Sequence, residues 1–91
     1  MVILKLPEEI EKARASNRIV AEVLSKLREK VKPGVRTKDL DKFAEDFAEK
    51  KGAKPAFKGY HGYPYSLCIS VNEVVVHGMP SERILMEGDI V

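Results

Sequence analysis

Tryptophan is absent from this 91-residue chain, and cysteine occurs once, at Cys68. A single thiol excludes an internal disulfide, so the chain is not a small cross-linked secreted scaffold. No apolar run is long enough to span a bilayer and no signal-peptide pattern opens the sequence, which makes a reducing cytoplasm the expected setting. Internal repeats, low-complexity segments, a phosphate-cradling glycine loop and a serine-nucleophile elbow are all missing. Positive charge is scarce in one part only. From Gly59 onward there is a single basic residue, Arg83, against four acids, whereas Met1 to Lys58 carries fifteen basic and ten acidic residues. The net charge of +2 gives no reason to expect a specific nucleic-acid partner. The basic part, with its signs interspersed, reads as a solvated helical face.

What is present fits one small soluble domain or part of a larger one. Hydrophobic residues make up 44% and charged residues 33%, and a chain of this size hides only roughly 60–65% of the surface its unfolded form exposes. Met1–Leu6 is apolar and short, an expected edge strand. Pro7-Glu8-Glu9 reads as a first helical turn, where proline's missing N–H costs nothing and acids suit the dipole. Ile10, Ala13, Val20, Leu24, Leu27 and Val31 recur at helical spacing, widened by Ile19 and Val23, and predict an amphipathic helix from about Pro7 to Lys30. Lys32-Pro33-Gly34 stops it. Thr37 is the expected N-cap of a second helix with the stripe Leu40, Phe43, Ala44, Phe47 and Ala48, ended by Gly52. Lys54-Pro55-Ala56-Phe57 should be extended. The predicted class is α+β, with both helices covering one face of an antiparallel sheet.

The stretch from Gly59 to Gly78 holds both histidines, the cysteine and all three tyrosines, yet no lysine or arginine. An aromatic, glycine-punctuated run without positive charge reads as the wall of a cleft. Leu67, Ile69 and Val71 alternate with Ser66, Cys68 and Ser70, the pattern of a strand with one buried face. Asn72-Glu73 reads as a turn, and Val74-Val75-Val76 as a return strand delivering His77 to the rim. Met86 to Val91 resembles a turn entering a further strand, at which the chain looks cut.

His77 is the best single candidate for binding chemistry, although its spacing alone favours a structural histidine bonded to a nearby carbonyl. Tyr60, Tyr63 and Tyr65 could line an apolar pocket with polar tips or pack on their own loop. Cys68, set in a strand, reads as a small hydrophobe. His61, His77, Glu73, Glu82, Glu87 and Asp89 form no pair at a trustworthy ligand spacing, so no complete metal site is expected in these residues.

Gly59-Tyr60-His61-Gly62-Tyr63-Pro64, Cys68-Ile69-Ser70-Val71-Asn72-Glu73, Val76-His77-Gly78-Met79-Pro80 and Gly88-Asp89-Ile90-Val91, in that order, closely resemble the type I methionine aminopeptidases. Pro7-Glu8-Glu9-Ile10-Glu11-Lys12 and Val31-Lys32-Pro33-Gly34-Val35 fit the same family, so the resemblance covers the whole chain. It implies residues 1–91 of a "pita-bread" fold, an N-terminal half that ends before the metal-ligand strands. The implied activity is removal of the initiator methionine from nascent proteins with a small second residue, by two divalent ions (cobalt, manganese, iron or zinc) whose ligands this chain lacks, so the chain alone is expected to be inactive. By position, His77 matches a histidine that contacts the substrate peptide; Tyr60, Tyr63 and Cys68 match the methionine pocket, with His61 beside them. Phe57 stands where many bacterial members have cysteine. Asn72 and Val74 match positions whose carbonyls hold a monovalent cation. The implied partners are N-terminal methionine on nascent chains and the ribosome; the implied full-length enzyme is a cytoplasmic monomer, and the isolated segment could self-associate. The competing reading is a non-catalytic module of the same fold that binds nascent chains or a protein partner.

Overall fold

A computed structural model describes all 91 residues. Its two helices fall where the periodicity puts them: α1 at Pro7–Lys30 and α2 at Thr37–Lys50. Pro7 occupies the first helical position of α1, and the Glu9 carboxylate turns back to accept the Leu6 amide at 2.8 Å, so the orphan donors of that end are partly satisfied. At the end of α2, Gly52 takes φ +77°, which lets the Ala53 amide return to the Ala48 carbonyl at 2.9 Å.

Thr37 does not cap α2. Arg36 is the cap residue, and Thr37, at the first helical position, is 2% exposed. Its hydroxyl accepts the Ser81 amide at 2.8 Å and lies 3.2 Å from the Ser81 carbonyl, so it ties α2 to the distant 81–85 segment. The Arg36 guanidinium holds the same junction from outside, on Asp39 within the helix and on Glu82 across it.

The core joins Val23 and Leu27 of α1 to Leu40 and Ala44 of α2, and both pairs to Ile69, Val71 and Leu85. Ile19, Val35, Phe43, Phe47 and Leu67 pack around it. Only part of the α1 stripe is used. Val20 and Leu24 remain more than half exposed, so the long helix carries an apolar face with no cover.

The expected antiparallel sheet does not form. The extended segments are linked by separate hydrogen bonds rather than a ladder: Ile69 N–H to Gly78 O at 2.7 Å, Asn72 N–H to Ile90 O at 2.8 Å, and one antiparallel bridge between Arg36 and Ile84. Two causes lie in the backbone. Asn72 (φ +55°) and His77 (φ +57°) both adopt the left-handed region, which interrupts extension on either side of the valines. Asn72-Glu73 is the turn expected, but Val74 to Val76 beyond it are exposed and do not form a return strand. Met1–Leu6, expected at a sheet edge, has no edge to pair with and is exposed throughout. The alternation nonetheless survives as burial: Ile69 and Val71 face the core while Cys68 faces out.

Candidate functional site

The loop from Phe57 to Tyr63 is a knot of short hydrogen bonds. The Tyr60 amide reaches Phe57 O, the Tyr63 amide reaches Tyr60 O, and the Gly59 amide reaches Tyr63 O at 2.7 Å. Gly59 (φ +86°), His61 (φ +48°) and Gly62 (φ +79°) supply the left-handed turns that close it. The result is a rigid platform from which Tyr60 and Tyr63 project.

Tyr63 ends that platform and starts the wall behind it. Its hydroxyl donates to the Leu67 carbonyl at 2.7 Å, and its ring meets Tyr65 edge-on at 6.1 Å. Burial, reinforced by the Cys68 sulfur and by the Asp41 and Tyr65 side chains, pushes the phenol up to about 12. It is therefore a neutral donor at physiological pH. One residue past Leu67, the Cys68 sulfur lies 4.0 Å from Nδ1 of His77. The positive φ of His77, a conformation costing a non-glycine residue about 1–2 kcal/mol, puts the ring on this side of the chain. Gly78 follows because nothing larger fits: a Cβ there would stand 2.1 Å from the Ile69 carbonyl oxygen.

Of the residues singled out in the sequence, then, Tyr63, Cys68 and His77 adjoin one another. Tyr60 and His61 form their own edge-to-face pair at 4.3 Å on the same loop. Phe57 is placed elsewhere. It lines an open, mostly apolar cavity of about 530 Å³ between α1, α2 and the Lys54–Phe57 segment, together with Val20, Leu24 and Leu67. Asn72 is a clasp: its amide nitrogen donates to Asp89 at 2.8 Å and its oxygen accepts the Ile90 amide at 2.9 Å. The carbonyls of Asn72 and Val74 accept no hydrogen bond from the backbone.

Asp41 escaped the sequence reading. It is 5% exposed, and its Oδ1 accepts the Ser66 amide at 2.9 Å and the Leu67 amide at 2.7 Å. Burial raises its carboxyl above the usual range, against the lowering effect of those two amides and of Lys58, with Glu45 adding to the rise. The signal was available: Asp41 lies three residues before Ala44 and seven before Ala48, on the apolar face of α2, where an acid must find partners. Ser66 shows the same demand, since its Oγ is buried without a partner.

The model of metallopeptidase family M24 matches residues 11–91. The chain belongs to family M24. Among relatives of this M24 chain, the methionine aminopeptidase of Clostridium acetobutylicum is 53% identical over 92 residues, and methionine aminopeptidase 1 of Bacillus subtilis is 50% identical over 91. Each alignment takes in 100% of this chain and 37% of the relative, so the chain spans little more than a third of their length. The crystal structure of methionine aminopeptidase from Thermotoga maritima superposes with a TM-score of 0.94 at 42% identity, and that from Rickettsia prowazekii with 0.93 at 36%. Both cover 98% of this chain and 36% of the solved one. The two-helix architecture is thus shared with solved methionine aminopeptidases.

Membership of a metallopeptidase family implies a metal, and the side chains present do not fit one. No three His, Cys, Asp or Glu side chains converge. Four of the acids are engaged individually: Glu82 with Arg36 and Lys38, Glu73 with Arg83, Asp89 with Asn72 and the Met86 amide, Asp41 with two amides. His61 meets Tyr60 edge-on and His77 lies beside the lone thiol. No helix is long and apolar enough to cross a membrane.

Proposed function

We propose that these 91 residues are the N-terminal part, little more than a third, of a methionine aminopeptidase and build the wall of its substrate cleft, with the divalent ions held by residues outside them. The observation that carries the reading is the contiguity of Tyr63, Cys68 and His77, fixed by the Tyr63–Leu67 hydrogen bond and the 4.0 Å Cys68–His77 approach. A polarisable sulfur and aromatic faces suit a thioether: burying a methionine side chain contributes about 1.5–3 kcal/mol, and each sulfur–aromatic contact about 0.3–1.5 kcal/mol. In this reading Tyr63 and Cys68 meet the methionine side chain, and Tyr60, with His61 behind it, closes one rim. Phe57 enters the pocket only if the Lys54–Phe57 segment turns from its cavity. His77, with a ring nitrogen that can donate or accept, holds the peptide group beside the bond to be cut. The Asn72 and Val74 carbonyls, free of backbone partners, are the donors we assign to a monovalent cation, completed by further oxygens.

The substrates would be nascent chains beginning with methionine and a small second residue, met in the cytoplasm near the ribosome. The extended segments 66–71 and 84–91, joined here only by isolated hydrogen bonds and one bridge, would then be strands of a larger sheet. The test is direct. The purified 91-residue chain, given a Met-Ala-Ser peptide with added cobalt or manganese, should release no methionine. Metal-dependent turnover would overturn the assignment of the ligands to other residues.

A further inference from the structure

Four hydrogen bonds and one close approach link helix α2 to the far side of the wall. Asp41 Oδ1 accepts from Ser66 and Leu67; the other face of Leu67, its carbonyl, accepts from Tyr63; and Cys68, the next residue, reaches His77. The Ile69 amide then closes on Gly78 O, the residue after His77. The two peptide units flanking Leu67 are therefore each held, the first by a buried carboxylate on its N–H and the second by a phenol on its carbonyl.

We propose that Asp41 is a positioning residue for the Tyr63–Cys68–His77 wall and acts through the Leu67 amide and carbonyl. It touches no substrate. Its part in methionine binding rests on the reading of that wall as a cleft, but its hold on the wall does not. A neutral side chain in the same place would serve as well, because the function is to place one acceptor between two consecutive amides. Asparagine offers that acceptor at the same distance from the helix. Glutamate keeps the charge and moves the acceptor by one methylene, which a buried site with Glu45 and Lys58 alongside cannot absorb without shifting the loop.

The experiment compares wild type, Asp41→Asn and Asp41→Glu by amide hydrogen exchange at Leu67 and by the alkylation rate of Cys68 with a neutral maleimide. Binding of L-methioninamide is followed in the same samples. Asp41→Asn should stay within about twofold of wild type, and Asp41→Glu should lose about tenfold or more of Leu67 protection and change the Cys68 rate by about threefold or more. A rescue by the uncharged variant is something a charge-based stabilising role would not give. In the wild type alone, the Ser66 and Leu67 amide resonances should share one acid-range midpoint, that of the carboxyl they donate to, while Leu67 protection holds through it, a readout that survives if Asp41→Glu unfolds. The proposal is overturned if Asp41→Glu matches wild type, if Asp41→Asn behaves as Asp41→Glu, or if the Ser66 and Leu67 amides share no such midpoint or lose Leu67 protection through it. Wild type that fails to bind L-methioninamide overturns the cleft reading alone, while the exchange and thiol rates still decide the role of Asp41.

Discussion

Gly78 is the residue with least latitude. A methyl group added there would meet the Ile69 carbonyl at 2.1 Å, and that carbonyl belongs to the rigid core segment, so the 76–79 turn must move. Gly78→Ala should lose about 3 kcal/mol or more in urea unfolding, the upper end of overpacking costs. It should also lengthen the Ile69–Gly78 hydrogen bond. His77 was legible in the sequence as a candidate, whereas Cys68 read only as a small hydrophobe and nothing in the spacing paired the two. Their approach depends on the left-handed φ of His77, which no period-2 pattern foretells. Asp41 was missed because an acid inside a helical stripe looks like a break in the pattern, whereas its partners lie 25 and 26 residues away.

At the scale of elements, the helices were readable to within a residue, the cap of α2 falling on Arg36 and not Thr37, because their signals are local: proline at the start of α1, the stripe, the glycine that ends α2. The sheet was not, because a strand needs a neighbour as well as alternation. The junction between α2 and the 81–85 segment is where pH and mutation should both be felt. Thr37→Val keeps the shape but leaves the half-buried Ser81 amide without its acceptor; it should cost about 0.5–1.5 kcal/mol by chemical denaturation. Arg36 holds the Asp39 and Glu82 carboxyls below their usual values, in each case first through its hydrogen bond. Their contribution is present above the ordinary carboxylate range, 3.8 and 4.5, and is lost as pH falls through the lowered values. Asp41 has the opposite sign, since its raised carboxyl favours the folded state at low pH and loses that contribution as pH rises through the raised value. Arg36→Ala should therefore flatten the loss of stability below pH about 4, and Asp41→Asn should steepen it, in thermal melts across pH 2–6.

At the scale of the whole molecule, two surfaces lack cover: the Val20 and Leu24 side of α1 with its 530 Å³ cavity, and the extended segments beside the wall. Relatives almost three times as long share this architecture, and both surfaces are accounted for if further polypeptide packs there. The central claim is that the methionine-gripping wall is already built within these residues and needs no metal to be built. A titration of the 91-residue chain with L-methioninamide, followed by two-dimensional NMR without added metal, tests it most directly. The account predicts shifts centred on Tyr63, Cys68 and His77. Shifts confined to Val20, Leu24 and Phe57 in the helical cavity, or no shifts at all, would contradict it.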